Sequence, residues 1–323
     1  MIHWNLGGGF LNVDMLAKLV NIVNFYRPEG HRLTVFDAPF MSIWEGGRPG
    51  APSMSVDDGL SGVIQNYTQH NVGFNFVFSN SLIRQEHLSD KRCNGFLERH
   101  QHPLNGVIVS SDLLAAHIRK HFPGYKLILS LTHGKSQASD LDFYRKAQDY
   151  YDVVVLVPDL NTDLEFIRKL DVSRLEILVN EVCLRGCHFR PMHYKTIDWY
   201  NLHKDYSMER DVHSFCMIHN QEFFGLSDGQ ISKLQGLKLS YPQVQELMGL
   251  GVKHFKYSGR RIGANFGQLK ADLSQTMFPA MGISDIAWRI EDSGRFGGNA
   301  AAAPRDPKRI LELIRKVRQE TSL

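Results

Sequence analysis

Cysteine is scarce in this chain, which has four among its 323 residues. That number is too small for a disulfide framework, and clustered thiols in a reducing compartment more often bind metal or take part in catalysis. The N-terminus lacks a basic region followed by an apolar stretch, and no apolar run approaches the roughly 20 residues that span a bilayer. We therefore expect a cytoplasmic protein that does not insert into membranes.

The chain also lacks the usual signs of nucleic-acid and nucleotide binding. Its formal net charge is +3, and no lysine or arginine run is longer than three residues. No internal repeat with a period of 20 to 50 residues is present, which excludes solenoids and propellers. No GxGxxG motif follows a predicted strand, and we interpret the glycine-rich "NLGGGF" at 5–10 as a flexible turn rather than a phosphate loop.

Short apolar segments alternate with amphipathic ones along most of the chain. Such alternation predicts parallel strands joined by helices. The segments read as buried strands are 32–39, 73–80, 105–111, 125–133, 152–159, 175–181, 236–241 and 252–259. Eight strands favour a closed (β/α)8 barrel, with a doubly wound open sheet as the alternative. We expect one barrel domain over 1–323, with 279–323 as a C-terminal extension packed on the barrel.

The segment "LVNEVCLRGCHFR" places two cysteines, Cys183 and Cys187, just past a predicted strand end. Active sites of such barrels lie at the C-terminal ends of the strands, and Cys216 follows closely enough in sequence to return there. Thiolates are soft ligands that favour zinc or iron-sulfur clusters. Structural zinc usually takes two cysteine pairs, whereas a cluster held by three cysteines leaves one iron open for substrate.

Two other uses of these thiols stay open. A thiolate beside His188 or His193 would suit a cysteine-nucleophile hydrolase, and a bound zinc would suit a metal-dependent one. A further alternative is a non-catalytic binding protein in which the metal only holds a loop in place.

Polar side chains at the predicted strand ends are the remaining candidates for a site. They are Asp37, His133, Asp159, Asn180, Glu181, Lys256 and Arg260. Lys256 and Arg260 would hold a carboxylate or phosphate, and His133 would serve as an acid-base group. Arg190 and His193 follow the cysteine pair closely enough to orient its ligands or the substrate.

Four segments together resemble the collagenase-like peptidase family, U32. They are "GVIVSSDLLAAHIRKHFPGYKLILSLTHG", "VVVLVPDLNTDLEFIRKL", "LEILVNEVCLRGCHFR" and "LKLSYPQVQELMGLGVKHFKYSGRR". Lys256, Gly259 and Arg260 match the final motif of that family, which has a glutamate where this chain has Ser258. The resemblance covers 105 to about 265, roughly half of the chain.

The resemblance implies a barrel and, by analogy with several members, a [4Fe-4S] cluster. Its ligands here would be Cys183, Cys187 and Cys216, and the missing fourth would be Cys93, His188, His193, His213 or none. Those members carry out oxygen-independent hydroxylation of RNA or a quinone precursor, while others are described as proteases. The implied substrate is a small molecule or a nucleic-acid base, and a protein partner or homo-oligomer is an open alternative.

Overall fold

The computed structural model contains a closed barrel of eight parallel strands, which confirms the predicted (β/α)8 fold. The structure describes residues 1–10, 12–26, 28–39, 42–46, 57–134, 140–187, 189–203, 235–259, 269, 271–283, 312, 315–317 and 319. The barrel strands are β1 (Ile2–Gly7), β2 (His31–Asp37), β3 (Gly73–Phe78), β4 (Gly106–Val109), β5 (Lys126–Leu129), β6 (Val153–Val155), β7 (Leu175–Leu178) and β10 (His254–Tyr257). They follow one another around the barrel as β1, β10, β7, β6, β5, β4, β3 and β2, and the pairing of β1 with β2 closes it.

One predicted strand is wrong in place, and one barrel strand was not predicted. The segment 236–241 was expected in the barrel, but β9 (Gln235–Lys238) pairs antiparallel with β8 (Asn180–Leu184) in a separate two-stranded sheet. Its place in the barrel is taken by β1, whose last residues were interpreted as a turn. That strand escaped notice because polar His3 and Asn5 interrupt its apolar residues.

Helices connect the strands and pack around them. They are α1 (Val13–Tyr26), α2 (Asp57–Gln69), α3 (Lys91–Arg99), α4 (Asp112–His121), α5 (Leu141–Tyr150), α6 (Leu164–Ile167), α7 (Arg190–His203), α8 (Tyr241–Gly249) and α9 (Phe278–Met281). Short 3-10 turns span Gln85–Ser89, Pro158–Leu160 and Val172–Arg174, and a π-helical turn spans Leu273–Met277. Several helices begin with a capping side chain; Asp140, for example, accepts hydrogen bonds from two backbone N–H groups of α5. In the described part of the chain, no helix is long and apolar enough to cross a membrane.

The core has two shells because side chains alternate along each barrel strand. One set points outward and packs against the helices, as Trp4 and Val35 do. The other set fills the barrel interior. Its apolar members are Phe36, Val77, Ile108, Ile128, Val153, Val155 and Leu178, and they are joined by Tyr194 of α7.

The helix α7 lies across the C-terminal mouth of the barrel. At its start, Arg190 pairs with Asp159, which follows β6. Near its end, the Asn201 side chain donates a hydrogen bond of 3.3 Å to the carbonyl oxygen of Glu45, in the loop after β2. β6 and β2 lie four strands apart in the ring of eight, so they stand on opposite walls. A helical rise of about 1.5 Å per residue separates these two contacts by about 16 Å, and α7 therefore bridges the opening.

Hydrogen bonds also join α7 to the loops after β2 and β3. The buried carboxylate of Asp198 accepts from the backbone N–H of Ser81 at 2.9 Å and from its hydroxyl at 2.5 Å. The Asn80 side chain donates to the carbonyl oxygens of Asp198 and Glu45, at 2.9 and 3.1 Å. The middle of α7 is thus held as firmly as its ends.

Part of the C-terminal segment lies on the far side of α7. Val317 is fully buried in a cluster with Ile197, Trp199 and Tyr200 of α7. Most of 284–323 lies outside the described residues, so the expected division into a barrel and an extension from 279 stays a prediction.

Gly46→Ala tests how closely α7 is seated. A Cβ atom at Gly46 would overlap the Asp198 carboxylate and the Ser79 carbonyl group. We expect a loss of about 1–3 kcal/mol in the free energy of unfolding, as for other overpacked sites, measured by urea denaturation. Gly62→Ala is the matched control, because Gly62 lies within α2 with no heavy atom within 4 Å of its added Cβ, and alanine there should stabilise the helix. Equal stability of Gly46→Ala and the wild type would contradict this seating of α7.

Candidate functional site

The candidate site is the C-terminal mouth where the chain leaves β7, forms β8, turns and returns as α7. This one excursion carries the predicted residues Glu181, Cys183, Cys187, Arg190 and His193. Sequence reasoning placed them past a strand end, and the structure places them there. It also shows that the same segment covers the mouth, which was not predicted.

A buried ion pair holds the turn between β8 and α7. One end of the Arg190 guanidinium contacts the Asp159 carboxylate, and its Nη2 donates to the carbonyl oxygen of Leu184 at 2.6 Å. The second Asp159 oxygen accepts from the backbone N–H of Gly186 at 2.6 Å, and Gly186 adopts a positive φ of 62°. Glycine suits that backbone conformation because it lacks a Cβ. Asp159 was predicted only as a polar residue at the end of a strand. These contacts make it the anchor of the cysteine turn.

Both Asp159 and Arg190 stay charged. Burial alone would raise the pKa of Asp159, but hydrogen bonds from Arg190 and Gly186 outweigh it and lower that pKa. Burial would likewise lower the pKa of Arg190, and the hydrogen bond to Asp159 raises it instead. The Nε atom of Arg190 is buried and has no hydrogen-bond partner. A fixed positive charge with one unused donor thus lies beneath the turn.

Cys183 and Cys187 are not joined in a disulfide, and their side chains are partly exposed. The backbone N–H of Cys183 donates to the buried Glu181 carboxylate at 2.8 Å, and the backbone N–H of Arg190 donates to the carbonyl oxygen of Cys187 at 3.2 Å. Cys183 is also close enough to Arg190 to interact with its charge. A neighbouring cation favours the thiolate, which is the form that binds metals and attacks electrophiles.

Two of the three expected cluster ligands therefore lie at the mouth. Cys216, together with His188 and His213, lies outside the described residues. Within the described residues, no group of three or more histidine, cysteine or acidic side chains is arranged to hold a metal ion.

Cys93 does not fit the role of fourth ligand. It lies on α3 in the outer core, where its sulfur is 3.1 Å from the Ser42 hydroxyl. Burial raises the pKa of the Cys93 thiol to about 12. A thiol that resists ionisation and is packed behind the barrel wall is a structural residue.

The two predicted histidines have different surroundings. His193 is partly exposed on α7, one turn from the cysteines, with its ring stacked on Tyr194 at a centroid distance of 6.4 Å. His133 is buried after β5, 3.5 Å from the Asp112 carboxylate and stacked on Phe143 at 5.2 Å. His133 thus sits between the starts of α4 and α5.

Lys256 lies inside the barrel rather than on its rim. Its ammonium group is 3.4 Å from Glu176 Oε2 and 4.2 Å from the centre of the Phe36 ring. Glu176 Oε1 accepts from the Asn5 side chain at 3.0 Å, and Asn75 donates to Asn5 at 3.3 Å. The expected partner of Lys256, Arg260, lies outside the described residues.

The remaining predicted polar residues form backbone anchors. Asp37 accepts from the N–H groups of Phe10 and Ala38, at 3.1 and 2.9 Å. Asn180 exchanges hydrogen bonds with the backbone of Ser258 and donates to Asp272 at 3.0 Å. These contacts tie the ends of β2, β7 and β10 to the segments that follow them.

Sequence reasoning missed Glu176 and Asp198. Glu176 is a charged residue inside an apolar strand, two positions before Leu178 and therefore on the same inward face. Asp198 stands among large apolar residues of α7, a placement that signals a specific buried partner. In both cases a lone acid within an apolar pattern was the available signal.

The fold is similar to that of a solved structure, although no family model and no curated protein matches the chain. The U32 peptidase Mk0906 superposes with a TM-score of 0.50 and is 10% identical in sequence, over 81% of this chain and 93% of that one. An identity this low shows a likeness of fold alone. The chain thus has a barrel fold distantly similar to that of a U32 peptidase.

Proposed function

We propose that this chain is an enzyme in which thiolates at the C-terminal mouth hold an iron-sulfur cluster, with Cys183, Cys187 and Cys216 as its ligands. The observation that carries the proposal is the pair of partly exposed cysteines in the turn that the buried charge of Arg190 holds, one of them close enough to interact with that charge. The U32-like fold supports a catalytic role, because such barrels carry their active sites at this mouth.

The donors present suit such a group. Thiolates are soft ligands, and a cation beside Cys183 offsets the negative charge that several thiolates bring together. When bound, the cluster would supply either an open iron that polarises the substrate or a one-electron carrier. The unused Nε donor of Arg190 would form a hydrogen bond to a sulfur atom or to an anionic substrate group after a small local shift.

The chain's own residues would bind and enclose the substrate. α7 bridges the mouth and excludes water from the space beneath it, and Tyr194 closes the barrel interior. His193 is the candidate for moving a proton, since it is partly exposed on the turn of α7 that follows the cysteines. Arg260 would attract a polar or anionic small molecule or a nucleic-acid base. The reaction that we propose is an oxygen-independent hydroxylation, in which an organic hydroxyl donor would transfer its hydroxyl group to the substrate and take up the hydrogen that the substrate loses, or a related modification.

A cysteine- or zinc-dependent peptidase is the second candidate. The fold is similar to that of a U32 peptidase, and a thiolate beside Arg190 would also serve as a nucleophile. The role of a second thiol four residues later is explained by metal binding and not by a single nucleophile.

Metal analysis separates these candidates. Protein purified and reconstituted without oxygen should be brown and contain iron and acid-labile sulfide. Cys183→Ala, Cys187→Ala and Cys216→Ala should each lose most of both, because each removes a ligand. Cys93→Ala is the matched control and should keep them, because Cys93 is packed in the outer core. A colourless protein with one zinc would favour the hydrolase or a metal-stapled binding protein, and unchanged iron in all three variants would contradict the proposed ligands.

Arg190 should make Cys183 the more reactive of the two thiols. We expect Cys183 of the metal-free protein to be alkylated by iodoacetamide faster than Cys187 at neutral pH, because the neighbouring charge raises its thiolate fraction. Arg190→Met should slow the reaction of Cys183, because it removes the neighbouring positive charge, and Arg190→Lys should restore part of the rate. Site-specific mass spectrometry measures both rates.

Cys93 provides the folding control for this experiment, because its buried thiol reacts only when the core opens. Rates at Cys183 that are equal in the wild type and in a folded Arg190→Met variant would contradict the role given to Arg190.

A further inference from the structure

The N-terminal face of the barrel carries a cluster of basic side chains that the proposed function does not use. His3 of β1 is in register with His254 of β10 on one side and with Arg32 of β2 on the other. Register partners in parallel strands point to the same side of the sheet, and these three share the inward side with Asn5 and Phe36. β5 stands four strands away on the opposite wall, and the exposed Lys126 at its start is close enough for its charge to act on both imidazoles. We call His3, Arg32, Lys126 and His254 the basic ring.

The two imidazoles of the basic ring are held neutral. Their rings stack at a centroid distance of 4.7 Å and an interplanar angle of 17°. Burial lowers the pKa of His3 to about 3, with further lowering by His254, Lys126, Arg32 and the amino group of Met1. Burial also lowers the pKa of His254 to about 4, where Lys126, Lys253 and the same amino group act against the charge and a hydrogen bond involving the Ser173 backbone acts for it.

The cations of the basic ring have no counter-ion in the part of the chain that the structure describes. Within the described residues, neither Arg32 nor Lys126 forms an ion pair or a side-chain hydrogen bond. The inward carboxylate nearest in register is Glu176, opposite His254. It is turned to Asn5 and Lys256 in the layer above, and so it does not neutralise the ring.

We propose that the basic ring binds a small phosphate-like dianion at the N-terminal face of the barrel. Arg32 presents a planar donor fork that matches phosphate oxygens, and Lys126 supplies a second charge from the facing wall. The neutral imidazole of His3 has one N–H donor for the same ligand, whereas the N–H of His254 is engaged by the Ser173 backbone. The interior layer of Phe36 and Lys256 separates this site from the C-terminal mouth, so it stands independently of the proposed function.

The histidines report binding directly, because a bound anion favours their protonated form. Inorganic phosphate, added to the full chain at constant ionic strength, should shift the imidazole NMR signals of His3 and His254 saturably and raise both pKa values. Arg32→Gln and Lys126→Gln should each weaken the apparent affinity by at least about tenfold, the effect of about 1.4 kcal/mol. Lys18→Gln removes an exposed charge on α1 and should leave the affinity unchanged.

A second readout is acid stability. The folded pKa values of His3 and His254 lie below the usual value of about 6.5, so protons that bind below that pH favour the unfolded chain. Stability should therefore fall as the pH drops from about 6.5 toward 4, and phosphate should reduce that loss in the wild type. The thermal midpoint, measured with phosphate and with chloride at equal ionic strength, detects this difference.

Other outcomes would overturn the site. Equal shifts with phosphate and chloride would reduce the effect to ionic screening. A short single-stranded RNA that moves the same signals when inorganic phosphate does not would assign the surface to a nucleic-acid backbone instead. If Arg32→Gln or Lys126→Gln fails to fold, the wild-type comparison of phosphate, chloride and RNA decides alone. Loss of iron binding in the cysteine variants leaves each of these results unaffected.

Discussion

The ion pair between Arg190 and Asp159 is the contact on which the candidate site depends. It joins the end of β6 to the start of α7, and through the Gly186 and Leu184 backbone it also shapes the turn that carries Cys183 and Cys187. Removing Asp159 would leave the buried Arg190 guanidinium uncompensated, at a cost below the roughly 3–5 kcal/mol typical of a fully buried pair because Asp159 is 25% exposed. Its removal would release the turn and one end of the helix that bridges the mouth. The same guanidinium that holds the turn also acts on Cys183, so structure and reactivity share one residue.

The helix across the mouth gives the barrel two ends of different character. Above the interior layer lie partly exposed thiols and the buried carboxylates of Glu181 and Asp198. Below it lies the basic ring, with neutral imidazoles and with two cations that form no ion pair among the described residues. Between the two ends, Lys256, Glu176, Asn5 and Asn75 contact one another through an ion pair and hydrogen bonds. These contacts satisfy polar side chains that would otherwise be buried in an apolar interior without partners. Each end therefore favours ligands of a different kind.

The fold was largely predictable because most of its strands are continuous apolar runs of barrel length. β1 was not, since its inward residues are polar and its pattern alternates around His3 and Asn5. The segment 236–241 was misplaced because an apolar strand of an outer hairpin has the same local pattern as a barrel strand. The cysteine turn was found from the close spacing of two cysteines after a predicted strand. Its anchor was not found, because no local pattern in the sequence pairs Asp159 with an arginine 31 residues away. The inward orientation of Lys256 was also missed, because it depends on which residues of β10 alternate toward the barrel interior.

The central claim is that thiolates at this mouth hold iron. Anomalous diffraction at the iron absorption edge, from crystals grown without oxygen, tests it most directly. We expect a strong anomalous iron peak next to the sulfur atoms of Cys183 and Cys187, with the sulfur of Cys216 as a third ligand. Crystals of the brown protein whose iron peak lies elsewhere, or anaerobic crystals in which these thiols stand apart with no metal between them, would contradict it.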